Sequence, residues 1–253
     1  MEIDELKRLE EFRRDFLQDV SHELKTPIFS AQGFIHTLID GAIEDERVRS
    51  KFLRKAAKSL DYLDLLVRDL LTISQMESGE IRMKKETFCI NELINETIEQ
   101  LEPRASKNKI SLINKNLNGS GKILVVADYY RIYQVLKNLA TNAIKYSDPH
   151  TSVTVYIKKR KKVATIHVED QGKGIAKNHR KRVFERFYRI EKSRSKERGG
   201  TGLGLAISKH IIEGHKTKIK LKSKVNFGST FFFNLKLLPK KIKKRQKIAQ
   251  TLN

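Results

Sequence analysis

With 253 residues, 39% of them hydrophobic and 32% charged, the chain has material for one large domain or two ordinary ones beneath a heavily solvated surface. Its single cysteine, Cys89, excludes an internal disulfide and suits a reducing compartment. No run approaches the roughly 18 apolar residues of a membrane span, and the N-terminus lacks a signal-peptide pattern, so the chain as given is expected to be soluble.

The net charge of +22 invites a nucleic-acid reading, which its distribution opposes. Residues 1–80 carry 12 Lys and Arg against 17 Asp and Glu, whereas residues 81–253 carry 40 against 13. The basic runs at Lys158–Lys162, Arg180–Arg182, Arg189–Arg198 and Lys240–Lys247 have no interleaved aromatics to stack on bases. They read first as solvated lysine faces and second as a surface that attracts an acidic partner or an anionic membrane, with no specific nucleic-acid site.

A long amphipathic helix is expected over 5–40, where Leu9, Phe16, Val20, Leu24, Ala31, Ile35 and Leu38 share one stripe. Gly41 and Glu44-Asp-Glu46 close it and open a second helix. There Leu53, Ala56, Leu60, Leu63, Val67 and Leu70 alternate steps of three and four, the pattern of a coiled-coil seam, widened by Leu66, Leu71 and Ile73. Two helices with so broad an apolar surface cannot bury it against each other alone. The expectation is an all-α helical hairpin that forms a four-helix bundle as a homodimer.

Ser78-Gly79 ends the second helix, and short strands then alternate with helices. Strands are expected at 110–117, 153–157, 163–170, 216–225 and 230–237, and helices at 91–105, 128–146 and 202–213. Helices on one face of a mixed sheet make an α+β sandwich. The lysine-rich residues 240–253 read as a basic tail.

Residues 21–27 read Ser-His-Glu-Leu-Lys-Thr-Pro. With Val20 at 0°, His22 falls at ~200° and Thr26 at ~240°, away from the packed stripe. An exposed neutral imidazole is a competent nucleophile, and Glu23 beside it can hold one ring N–H and leave the other nitrogen free. Pro27 cannot donate to the carbonyl of Glu23 and is expected to kink the helix there. A His-Glu-x-x-His zinc reading fails, because Thr26 stands where the second histidine is needed.

On the helix at 128–146, Asn138, Asn142 and Lys145 share a stripe beside the apolar face. A neutral amide oxygen suits Mg²⁺, and a lysine offsets phosphate charge. Asp170 continues the inward face of the strand at 163–170 and needs a donor, for which an adenine amino group is suited. Gly172 and Gly174 let backbone approach the base. Gly200-Thr-Gly-Leu-Gly204 precedes a helix and exposes N–H groups to phosphates, with the spacing of neither a P-loop nor a dinucleotide fingerprint. The polar stretch Arg189–Arg198 reads as a lid over the nucleotide.

Taken together, from about residue 10 to residue 238, these motifs resemble the sensor histidine kinases of bacterial two-component systems, nearest the phosphate-regulon sensor type. The His22 septet resembles the H box and Asn138-Leu-Ala-Thr-Asn142-Ala-Ile-Lys-Tyr-Ser147 the N box. Asp170–Gly174 resembles the first glycine box, Phe184-Glu-Arg-Phe-Tyr188 the F box, Gly200–Leu205 the second glycine box, and Gly228-Ser-Thr-Phe231 the last. The resemblance implies a dimerisation and phosphotransfer domain over 1–82 and an ATP-binding domain of the GHKL fold over 83–239. It implies His22 as phosphoacceptor, Glu23 as base and Thr26 as the residue that positions water for dephosphorylating a partner. Asn142 would hold Mg²⁺. ATP would contact Asn138, Lys145, Tyr146, Asp170, Gly172, Gly174, Ile175, Phe187, Arg189, Gly200, Thr201, Gly202, Leu203, Gly204 and Thr230. The implied partner is a response regulator. The parent protein would be anchored in the bacterial inner membrane by N-terminal segments this chain lacks. One departure is His215-Lys-Thr217, where relatives often carry His-Gly-Gly. The competing readings are a GHKL ATPase that drives a clamp, against which the His22 septet argues, and a non-catalytic scaffold or nucleic-acid binder built on the basic half.

Overall fold

The computed structural model describes residues 2–78, 83–116, 121–190 and 200–239, with side chains excepted at 2–9, 12 and 13. The side chain of Leu9, most of the expected lid and the basic tail therefore lie outside what is described. The chain divides into two compact units. One comprises Met1–Glu77 with Arg186–Leu203, the other Ser78–Glu185 with the chain from Gly204 onward. None of the described helices is long and apolar enough to cross a membrane.

In the first unit α1 (Glu2–Thr37) and α2 (Glu46–Glu77) form a hairpin. The helix runs on through Pro27. A departure from helical dihedrals comes at Asp40 and Gly41, inside a π-turn over Leu38–Ala42, where Gly41 takes φ 110°. Asp45 then caps α2, its Oδ1 accepting from the N–H groups of Arg47 (2.9 Å) and Val48 (3.2 Å).

Ala31, Leu38, Ala56, Leu66 and Ile73 are buried in this unit, and Phe34 meets Phe52 at 5.6 Å. The single seam expected on α2 is in fact two stripes. Ala56, Leu66 and Ile73 are buried, whereas Leu53 and Leu60 stay 53% exposed and Val67 41%. One helix covers only one side of another, and the heptad-spaced set 53, 60 and 67 is the side left over.

The second unit is a two-layer sandwich. Its strands are β1 (Glu86–Cys89), β2 (Ser111–Asn114), β3 (Leu124–Ala127), β4 (Ser152–Arg160), β5 (Val163–Asp170), β6 (Lys220–Ser223) and β7 (Ser229–Leu237). They run in the order β1-β3-β7-β5-β4-β2, with β6 paired to the first half of β7. Among the described residues only β2 and β4 pair in parallel. Three helices, α3 (Ile90–Lys107), α4 (Tyr129–Tyr146) and α5 (Gly204–Gly214), supply the second layer. Alternate strand residues Val153, Val155, Ala164, Ile166, Val168, Phe231, Phe233 and Leu235 are buried, as are Leu93, Ile132, Val135, Leu136, Leu139, Ile207 and Ile211 of the helices.

On the other face Tyr156, His167 and Phe232 stack in a row, with centroids 4.5 and 5.2 Å apart. Lys158 lies over Tyr156 and Lys222 over Phe232. The rings spend their flat faces on one another and on these ammonium groups, in keeping with solvated lysine faces.

The strand expected over 216–225 is shorter, Lys220–Ser223, and the cause is the end of α5. Thr217 N–H donates to Ile212 O (3.3 Å) and Lys216 N–H to Glu213 O (2.8 Å), the two bonds of a Schellman cap, which places Lys216 at the left-handed position with φ 59°. Glycine is the usual occupant because an L side chain there is strained. Replacing Lys216 with glycine should therefore raise stability by about 0.5–1 kcal/mol, the relief of strain outweighing glycine's extra unfolded-state entropy. Urea unfolding followed by circular dichroism measures the change, and a destabilised variant contradicts it. His215 anchors the same corner: its ring lies 2.7 Å from Ile211 O through Nδ1, and Nε2 accepts the Asp128 N–H at 2.9 Å. That pattern requires a neutral ring with the proton on Nδ1, and burial lowers its pKa accordingly.

Candidate functional site

Two polar constellations stand out, one in each unit. In the helical unit His22 is exposed on α1 and its ring makes no hydrogen bond among the described residues. Thr26, one turn on, is half-buried, its hydroxyl donating back to His22 O at 3.1 Å. Glu23 is half-buried, and its Oε2 accepts the Tyr62 hydroxyl of α2 at 2.9 Å. The carboxylate is thus held from the second helix, a contact that local spacing around His22 could not reveal.

Phe187, Arg189, Gly200, Thr201, Gly202 and Leu203 belong to this same unit. Phe187 meets Phe16 at 6.0 Å, Arg186 forms an ion pair with Glu77, and Arg189 donates to Gly200 O. The Thr201 hydroxyl, 4% exposed, donates to Asp69 Oδ2 at 2.6 Å and accepts the Leu203 N–H. That hydroxyl is therefore occupied by α2. Burial pushes the Asp69 pKa up and the Thr201 bond pulls against it.

In the sandwich unit Asp170 ends β5 and is buried. Its Oδ1 accepts the N–H groups of Gly172 (3.0 Å) and Ser229 (3.1 Å), while Oδ2 takes no hydrogen bond from the described residues and is not sealed from solvent. Burial raises its pKa, and the two N–H donors act against the rise. The result is a carboxylate fixed by one oxygen and open at the other.

Its surroundings are built by backbone. Gly172 bridges to Ser147 at the end of α4, and a Cβ at Gly172 would lie 2.2 Å from Tyr146 O. Gly174 takes φ 65° and approaches Lys224 O so closely that its own Cβ would lie 2.0 Å away. Only glycine fits either place. Ile175 N–H donates to Ser223 Oγ (2.7 Å), fastening this loop to β6.

α4 contributes the amides. Asn138 Nδ2 donates to Gly204 O at 3.2 Å, joining α4 to the start of α5. Asn142 is half-buried with no hydrogen bond among the described residues, so its amide oxygen is available. Lys145 Nζ lies 5.0 Å over the Tyr146 ring, and Tyr146 is 47% exposed.

Thr230 does not share a sheet face with Asp170. Asp170 pairs with Ser229 and Glu169 with Thr230, so alternation puts Thr230 on the sheet face opposite the carboxylate. Ser229, 6% exposed, is the residue that meets Asp170. Sequence reasoning also passed over Tyr62 and Asp69, although a hydroxyl-tipped aromatic and a carboxylate seven residues apart on α2 were a visible signal.

Comparison with known proteins agrees with both halves. Residues 12–79 match the family described as His Kinase A (phospho-acceptor) domain, and residues 127–239 the one described as histidine kinase-, DNA gyrase B-, and HSP90-like ATPase. The sensor protein kinase WalK of Staphylococcus aureus is 36% identical over 237 residues, which covers 92% of this chain and 56% of that protein. The longer WalK of strain JH9 gives the same identity with 38% of its length covered. The chain thus spans about half, or less, of the curated relatives it matches.

Among solved structures, the Acinetobacter baumannii histidine kinase AdeS superposes with a TM-score of 0.68 at 28% identity, covering 86% of this chain and 98% of that one. The histidine kinase ThkA, solved in complex with the response regulator protein TrrA, gives 0.73 at 25% identity over 94% of this chain and 66% of that one. With a phospho-acceptor hairpin, a GHKL-type sandwich and these relatives, the chain belongs to the sensor histidine kinases of bacterial two-component systems.

Proposed function

We propose that this chain phosphorylates itself on His22 from ATP and passes the phosphoryl group to an aspartate of a response regulator. The observation that carries the reading is the exposure of His22 beside a carboxylate held in place by the second helix. A ring nitrogen of His22 forms the new bond to the γ-phosphorus as the bond to the bridging oxygen breaks and ADP departs. Glu23 holds the proton of the other ring nitrogen and offsets the charge that develops on the imidazole. Thr26, one turn along on the same face, positions water for phosphatase activity toward the regulator.

In the sandwich, the free oxygen of Asp170 suits the adenine amino group, and glycine backbone at 172 and 174 leaves room for the ring. The residues present also fit Mg²⁺: the unengaged amide of Asn142 offers an oxygen, and the metal when bound would neutralise phosphate charge. Asn138 and Lys145 flank it on α4, and Gly200–Gly204 would offer N–H groups to phosphates. Substitution of Asn142 by aspartate keeps the size but adds charge beside the phosphates. It should weaken Mg-ATP binding by about tenfold or more, measured by calorimetry. Unchanged affinity removes Asn142 from the metal site.

The working boundaries are 1–82 for dimerisation and phosphotransfer and 83–239 for nucleotide binding. The exposed stripe of Leu53, Leu60 and Val67 suits a second copy of the chain, which supports a homodimer. Relatives of which the chain covers 56% and 38% support a parent protein with further segments. Incubating the chain with γ-labelled ATP and Mg²⁺ tests the function: the expected product is protein-bound phosphate that is stable to base and released by acid. ATP turnover without that product would favour the clamp-type ATPase.

A further inference from the structure

Glu23 stands next to His22 on α1, and neighbours in a helix project about 100° apart, so adjacency alone does not bring a carboxylate to the ring. A glutamate has three rotatable bonds and, unrestrained, would sweep through solvent. Here it is restrained from 39 residues away: the Tyr62 hydroxyl of α2 donates to Oε2 at 2.9 Å. Glu23 Oε1 takes no hydrogen bond from the described residues, which leaves it for the imidazole N–H.

Tyr62 is suited to this work. It is half-buried, and burial, followed by the charge of Glu23 and the hydrogen bond to it, raises its pKa. The phenol therefore remains a donor throughout the neutral range, and the contact is a charge-assisted O–H···O⁻ bond, the stronger class. The positive charge of Arg189 opposes the shift.

We infer that Tyr62 is a positioning residue for phosphorylation of His22: its hydroxyl holds one oxygen of Glu23 so that the other is aimed at the imidazole. This rests on the reading of His22 as phosphoacceptor and Glu23 as its base. Tyr62 touches neither nucleotide nor the reacting atoms and acts through Glu23 alone.

The test measures autophosphorylation of the full chain at saturating Mg-ATP. Tyr62→Phe should lower kcat about tenfold, part of the 10²–10⁴-fold that a positioned base contributes, with the KM for ATP within about twofold of the parent. In a Glu23→Gln background the same substitution should cost less than about twofold, because the group it aims is gone.

A kcat within about twofold of the parent for Tyr62→Phe overturns the proposal. So does an equal loss with and without Glu23, which marks a packing role between the helices. Should Tyr62→Phe fail to fold, Tyr62→Met with and without Glu23→Gln decides by the same comparison. Failure of the underlying reading looks different: the parent chain forms no acid-labile phosphate, or His22→Ala still forms it, and the Tyr62 assignment then falls with it.

Discussion

Replacing His22 by alanine is expected to abolish acid-labile phosphate on the chain while leaving ATP binding unchanged. His22 is exposed and its ring makes no hydrogen bond among the described residues, so its loss should alter stability by no more than about 0.5 kcal/mol. What disappears is the nucleophile, and no neighbour can replace it. A residual rate more than about a thousandfold below the parent's is the expectation.

The chain's other histidines sharpen the test. His167 and His215 are buried, with pKa values lowered first of all by burial, and His215 spends both nitrogens on backbone. His36 is the informative comparison, because it lies exposed on the same helix with Ile35 and Thr37, not a carboxylate, beside it. His36→Ala should label like the parent. Label that survives in His22→Ala and vanishes in His36→Ala would move the acceptor one site along α1.

The second large effect is expected at Asp170. Asparagine has nearly the same shape, and its Oδ1 can still accept from Gly172 and Ser229, so the loop after β5 should keep its path. The open position changes from a charged acceptor to an N–H donor, which would face the donor amino group of adenine. Losing a charge-assisted bond and leaving two donors opposed should cost about 2–4 kcal/mol, or roughly 30- to 1,000-fold in affinity. Calorimetric titration with ATP reads this directly. An affinity within about threefold of the parent's would remove Asp170 from adenine recognition.

Circular dichroism of Asp170→Asn separates loss of binding from loss of fold. The carboxylate's raised pKa reflects burial that the amide does not suffer, so the variant should be no less stable than the parent.

Much of this protein was legible before any coordinates. Period-3.6 stripes located α1, α2, α3 and α4 to within a few residues, and alternation located β5 and β7. Angular position on a helix put His22 outside the packed stripe, and the glycines at 172 and 174 marked a loop where backbone approaches closely. These features are local: each depends on residues within a turn or a strand, and spacing carries that information.

Other features depended on partners far along the chain. The four-residue strands β1 and β3 are too short to show a period, and only pairing with each other and with β7 makes them strands. Thr230 and Ser229 are equal candidates in a motif, and the register against β5 separates them. The strand pattern of 216–225 is overridden at its start by the cap of α5, because two hydrogen bonds to Ile212 and Glu213 hold Lys216 in a conformation no strand adopts.

The sequence alone determined which residues could do the chemistry and on which face of its own element each one lies, since both follow from residue type and local periodicity. The tertiary structure decided which stripe of α2 meets α1, which hydroxyl restrains Glu23 and which oxygen of Asp170 stays open. Those outcomes depend on contacts between segments tens of residues apart, and chain packing brings them together where no local spacing encodes the pairing.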